Sequence, residues 1–270
     1  MSNVPSGSLV KTQRGATLIT VLLLLIVITV VGLIAMRQGL TSLNIATNSQ
    51  IQTVLASSSD TVLNNFARAD VKQITSIAGV IGAALNNSTP NPNQEYVFCY
   101  RPTSSDPFGL SINANIIQGN TDGTVKNVDT GGGGFCDLSN TTTDFGSGRK
   151  AVVTQVAVTV PTDASPLPPL SNLSHDGTNV SQGSALPQNF VTQQRVRVTA
   201  TALLPAFSTS PLTGDGSVQS DCLRGRISDN TDQSLASVET VTDCLARKGV
   251  PANTQIQEYS LRTALTQPAS

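Results

Sequence analysis

Gln13-Arg14-Gly15-Ala16-Thr17-Leu18-Ile19 opens an apolar run that continues to Met36, and this junction decides how the chain is read. Ala16 to Met36 is 21 residues without a charge. About 20 such residues, wound as a helix, span the hydrocarbon core of a bilayer. Ahead of the run lies a basic leader, residues 1–15, with Lys11 and Arg14 and no acid. An ordinary secretory signal carries its small-residue cleavage site after the apolar stretch. Here the glycine junction precedes it, so a cut between Gly15 and Ala16 leaves the membrane helix on the mature protein.

The order of Lys11, Arg14, Gly15 and then Ala16-Thr17-Leu18-Ile19 resembles the type III signal of type IV pilins and type II secretion pseudopilins. The resemblance implies cleavage after Gly15 by a dedicated membrane peptidase, which also methylates the new amino terminus. Most major pilins carry glutamate at the fifth mature residue, and this chain has Thr20 there. The Thr20 departure and the Met36-Arg37 exit look more like the PilX-type minor pilins. The direct resemblance covers residues 11 to about 60. Major pilins often place a proline midway along this segment, and none occurs here. A plain signal anchor is the competing reading, with Lys11 and Arg14 on the cytoplasmic side and Arg37 just beyond the far face. An anchor has no need of a glycine at the junction.

Nothing between Pro5 and Pro90 forces a helix to break, because the interval has no proline. The organisation expected is leader 1–15, transmembrane half-helix 16–36, periplasmic half-helix and helical continuation 37–85, and head 86–270. Ile51, Leu55, Val62 and Phe66 recur at helical spacing and form a stripe that packs on the head. Val71, Ile74, Ile77, Ile81 and Leu85 continue it, although Gly79 and Gly82 weaken a helix there. Within the membrane half, Thr17, Thr20, Thr29, Gly32 and Ala35 are small or weakly polar, which suits close helix association in lipid.

From Asn86 the sequence turns to loops. Strand candidates are Glu95–Arg101, Ala151–Val160, Val191–Leu204 and Gln255–Leu265. In the third, Arg195 and Arg197 alternate with Val196 and Val198, as in a half-buried strand. Gly131–Gly134 and Pro161–Pro169 are the clearest loops between them. The fold class expected is α+β: a pilin-like long N-terminal helix, transmembrane in its first half, packed on an antiparallel head with long loops and disulfides.

The four cysteines, Cys99, Cys136, Cys222 and Cys244, all follow the helix and would face an oxidising compartment. Four cysteines allow three pairings. Cys99–Cys136 with Cys222–Cys244 is favoured, since each pair encloses one loop-rich segment. A metal site is disfavoured by the absence of CxxC spacing and by a single histidine, His175. A Ser-His-Asp arrangement would have to use His175, which sits in the turn-like Asn172–Gly177. Neither Asp122-Gly123 nor Asp215-Gly216 lies in a full calcium loop with its terminal glutamate. Charged residues make up 12% of the chain and the net charge is −1, so no basic field invites nucleic acid. The expectation is a non-enzymatic protein with no cofactor.

The resemblance further implies a minor pilin that helps to initiate pilus assembly and sits at or near the tip. Its implied partners are other minor pilins, the major pilin, a large tip adhesin, the prepilin peptidase and the inner membrane. Adhesion and twitching motility are the processes such pili serve. One rival is a K-type pseudopilin of a secretion pseudopilus, which usually has a large helical insertion in its head. The other is a single-pass envelope protein with a binding head.

Overall fold

A computed structural model describes residues 16–104, 107–108, 110–128, 133–140, 143–146, 151–162 and 191–264. The long helix α1 runs Ala16–Arg68, 53 residues, as the proline-free interval predicts. Two compact units divide at Gln50–Ile51. In the first, α1 exposes every described side chain from Thr17 to Gln50. The second unit is the head, which includes the last turns of α1.

After Arg68 the helix stops. Asp70 caps a short α2, Val71–Ile74, by accepting the Lys72 amide at 3.0 Å. A third helix, α3, follows at Val80–Asn87. The break that Gly79 and Gly82 foreshadow has a steric cause. A Cβ on Gly79 would lie 2.3 Å from the Ile74 carbonyl oxygen, and one on Gly82 would lie 1.9 Å from that of Ser76. The start of α3 therefore presses on the backbone that follows α2, an approach only glycine permits.

The sheet is antiparallel throughout, in the order β3-β2-β1-β4-β5-β6. Its strands are β1 Gln94–Cys99, β2 Asn115–Gly119, β3 Val125–Val128, β4 Val153–Thr159, β5 Val191–Leu203 and β6 Ala252–Ala264. All four strand candidates from the sequence are present, with β6 beginning earlier, at Ala252, directly after Pro251. The β2–β3 hairpin escaped the sequence reading. Its strands are short and carry Gln118, Lys126 and Asn127, so hydrophobic alternation is nearly absent. Its turn was visible as Asp122-Gly123: Asp122 accepts from the Thr124 amide at 2.9 Å, and Gly123 takes a positive φ of 86°.

One face of the sheet receives α1 and α3. Tyr96, Phe98, Val156, Val158, Val196 and Val198 pack there with Val62, Leu63, Phe66, Val80 and Ile81. Further along α1, Leu55 meets Val152, Ala202 and Leu204. The gap in the stripe between Leu55 and Val62 is filled by Ser59, fully buried, whose Oγ donates to Asn253 Oδ1 of β6 at 3.0 Å. The stripe thus runs at four, four, three and four residues, as one helix face requires.

The opposite face is covered as well. Val97, Ile117 and Ala157 contact Phe135, Ile227, Leu235 and Val238. Beside them, Val153 and Leu203 pack with Val218, Leu223, Val241 and Leu245. This cover includes a short helix, α4, Val241–Arg247, with a capping box between Thr240 and Asp243. The helix was missed in the sequence because seven residues hold too few turns to show a period. Thr240-x-x-Asp243 was the available signal.

Phe66 is 3% exposed and meets the Phe108 ring edge-on, centroids 5.2 Å apart, with Tyr259 tilted at 5.6 Å. Phe66→Ala should destabilise the head by about 3–5 kcal/mol and Phe66→Leu by much less. Urea unfolding of the detergent-solubilised chain, followed by near-ultraviolet circular dichroism, measures both. Equal small losses would show that α1 is only loosely seated on the sheet.

Candidate functional site

Three features stand out: an apolar half-helix, a pair of disulfides and a buried charge cluster. The first is the only helix among the described residues long and apolar enough to cross a membrane. At 1.5 Å per residue, Ala16–Met36 measures roughly 30 Å, the thickness of a hydrocarbon core. Two of its three hydroxyls bond to their own helix. Thr20 Oγ1 donates to the Thr17 carbonyl at 2.9 Å, and Thr29 Oγ1 to that of Ile26 at 2.8 Å. Such local bonds allow threonine to sit in lipid without an unsatisfied polar group. Position 20 therefore offers a neighbour neither a charge nor a free donor. From Ala16 to Ser59 the single charged residue is Arg37.

The cysteines are joined as Cys99–Cys136 and Cys222–Cys244, with Cα atoms 4.7 and 5.4 Å apart. Both bridges are buried in one cluster with Val153, Leu203 and Leu245. Cys99 ends β1, whereas Cys136 lies in a loop that approaches β1 and β2 closely. A Cβ on Gly134 would meet the Asn115 amide nitrogen at 2.5 Å. Asp144, fully buried, anchors the same loop by accepting from Arg101 Nε at 2.6 Å and from the Asp137 amide at 2.8 Å. Cys222 occupies a π-helical turn, Gln219–Leu223, and Cys244 lies in α4. Each bridge contributes about 2–4 kcal/mol, largely by restricting the unfolded chain.

The charge cluster was not foreseen. The sequence presents Arg195 and Arg197 as the wet side of a half-buried strand, yet Arg197 is only 5% exposed. Strand register explains its surroundings. One transverse row across the sheet reads Asn127, Ile117, Glu95, Thr159, Arg197 and Glu258, one residue from each strand. The segment Ser228–Asp232 lies over this row. Arg197 Nη1 donates to Asp229 Oδ2 at 2.9 Å and stands 3.6 Å from Asp232 Oδ1, while its Nη2 is 3.5 Å from Glu258. Glu95 accepts the Ser228 amide at 2.7 Å and the Asp229 amide at 3.1 Å. Burial pushes the Glu95 carboxyl up to about 7, against the pull of those two amides and with the help of the Asp229 charge. The signal that could have revealed the cluster is a glutamate inside an aromatic strand, Glu95-Tyr96-Val97-Phe98.

Lys11, Arg14, Gly15 and His175 lie outside the described residues, as do Gly131, Gly132 and 163–169 of the predicted loops. Ala16 is the first residue of α1. The structure brings the four cysteines into one cluster and leaves Thr20 in the other unit. Among the described residues, no group of three histidine, cysteine, aspartate or glutamate side chains is placed to hold a metal ion. The fold is α+β and pilin-like: a long N-terminal helix, an antiparallel sheet and two disulfides. No protein-family model, curated protein or solved structure matches the chain.

Removing a cation from a buried cluster strands its carboxylates. Arg197→Met should therefore cost about 3–5 kcal/mol, whereas Arg226→Met, which breaks a half-exposed pair with Glu239, should cost no more than about 1 kcal/mol. Urea midpoints of the two variants compare them directly. Equal midpoints would mean that water reaches Arg197.

Proposed function

We propose that the chain is a minor pilin. It is inserted once in the inner membrane with its head in the periplasm, and it helps to start a type IV pilus and stays at or near the tip. The observation that carries this reading is α1. A single helix begins at the glycine junction, gives 21 uncharged residues to the membrane and ends in the core of a disulfide-stapled head. A signal anchor would need only the apolar part. No enzymatic role or cofactor belongs to this reading. The partners proposed are the prepilin peptidase, other minor pilins, the major pilin and a large tip adhesin, and adhesion and twitching motility are the processes served.

Thr20 supports the tip position. A carboxylate within lipid is costly without a partner, so a glutamate there suits a subunit flanked on both sides by the charged amino termini of others. A subunit at the filament end lacks one such neighbour. Thr20, with its hydroxyl bonded to its own helix, dispenses with the pairing.

Mass spectrometry of the mature amino terminus tests the pilin reading. The expected result is a chain beginning at methylated Ala16, with Gly15→Leu blocking the cut. A full-length chain in purified pili would leave only a signal anchor. Gold-labelled antibody against the head tests the position. Label at one end of each filament is expected, and label along the shaft would overturn the tip assignment alone.

A further inference from the structure

The two edges of the sheet are built differently. At one edge, β3 is four residues long and carries Lys126, and its Asn127 donates to the Arg224 carbonyl. A short edge with a lysine resists extension by another chain. At the other edge, β6 is thirteen residues long, roughly 44 Å at the usual rise and more than twice the ordinary strand length. Its pairing with β5 runs from Val191–Ala264 to Leu203–Ala252 without a bulge. Ala252–Ala264 contains neither proline nor lysine. Brevity, proline, lysine and bulges, the usual guards of an edge, are thus all missing. Among the described residues no strand lies beyond β6, and Ile256, Gln257, Glu258 and Ser260 are exposed. In an antiparallel ladder every second residue turns its N–H and C=O away from the partner strand. About six residues of β6 therefore present backbone donors and acceptors on the side away from β5.

The side chains of β6 on the face opposite α1 define what a neighbouring strand must carry. Thr254 bonds there to Thr201 and Thr242, and Glu258 pairs with Arg195 at 3.0 Å and Arg197 at 3.5 Å. Between them Ile256 is 47% exposed, the one large apolar side chain exposed on a strand among the described residues. An apolar side chain on the next strand would cover it. Around Glu258 the charges are unequal. Asp229, Asp232 and Glu258 stand against Arg195 and Arg197, so among the described residues acid is in excess. A base beside Glu258 would continue the transverse row and balance it. Pairing β6 with itself in antiparallel fashion meets only one demand at a time. The register that sets Arg262 beside Glu258 sets Ala264 beside Ile256, and the register that sets Ile256 beside Ile256 sets Thr254 beside Glu258.

We propose that the free edge of β6 is a strand-addition site for an extended segment of another protein. The segment pairs antiparallel, as every strand of this sheet does. It sets a β-branched or aromatic side chain beside Ile256 and, two residues earlier in its own sequence, a lysine or arginine beside Glu258. Main-chain bonds to the outward groups of β6 supply the affinity, and the two side chains fix the register. A slip by one residue would turn both side chains to the α1 face and lose them together. The site needs only the head, so it stands apart from the pilin reading.

The probe is the peptide Thr-Val-Thr-Lys-Thr-Val-Thr-Val-Thr, set against a twin with glutamate in place of lysine. Hydrogen exchange of the full chain in detergent micelles, read residue by residue by NMR, reports where each binds. The lysine peptide should slow exchange at alternate amides of β6 and leave those of α4 unchanged. The glutamate twin should bind roughly tenfold more weakly, because a like charge then stands beside Glu258. Ile256→Lys, which places a charge at an exposed position, should weaken the lysine peptide by roughly the same factor. Absence of slowing along β6, or equal affinity for the two peptides, would overturn the proposal. So would a chain that dimerises through β6 without any peptide, since the occupant is then a second copy. Should Ile256→Lys fail to fold, the two peptides compared on the wild type decide.

Discussion

The middle strands of the head's sheet have no wet face, although Ile256 and Glu258 of β6 and Asn127 of β3 are exposed at its edges. The last turns of α1 and α3 seal one side, and the segment from Val218 to Val250 seals the other. Every polar residue in the middle of the far face must therefore find a partner inside the protein or bear the cost of desolvation. Gln155 meets this demand by donating to the Leu223 carbonyl, and Thr201 by bonding to Thr254. Arg197 meets it with Asp229. Glu95 meets it only in part, and its raised titration point is the result.

This constraint also explains which parts of the sequence could be read. The apolar half of α1 was legible because an uncharged run of its length stands out in any sequence. The Leu55–Phe66 stripe was legible because helical spacing survives where one face is buried. The strands β1, β4, β5 and β6 were found through their β-branched and aromatic residues. The identity of their wet side was not, because alternation shows two faces without showing what lies on each. Arg195 and Arg197 look alike in sequence, yet Arg197 is the one that lies beneath Asp229 and Asp232. Only the register of six strands and the path of a loop some thirty residues away create that difference.

Local chemistry was hidden for a different reason. The β2–β3 hairpin and α4 are each too short to display a period, so only turn and cap residues marked them. The disulfide partners were separable because each pair closes its own loop, of 37 and 22 residues. Both bridges nevertheless end in the same cluster, so two separate loops are stapled to one patch of core. That patch compensates for a cover made of turns and one seven-residue helix.

The bond from Ser59 to Asn253 spans 194 residues, and that from Tyr259 to the Leu63 carbonyl spans 196. The helix that opens the chain is thus fastened to the strand that comes last. During synthesis, the apolar stripe of α1 must wait for nearly the whole head before β6 arrives to meet it. Contacts of such sequence separation form slowly, because the intervening chain must be ordered before they contribute. The stripe is only partly covered, by β1, β4 and β5, through that interval, which leaves nascent heads open to association with one another. A chain interrupted before Ala252 would still offer β1, β4 and β5 to the stripe, but would lack the strand to which Ser59 and Leu63 are fastened.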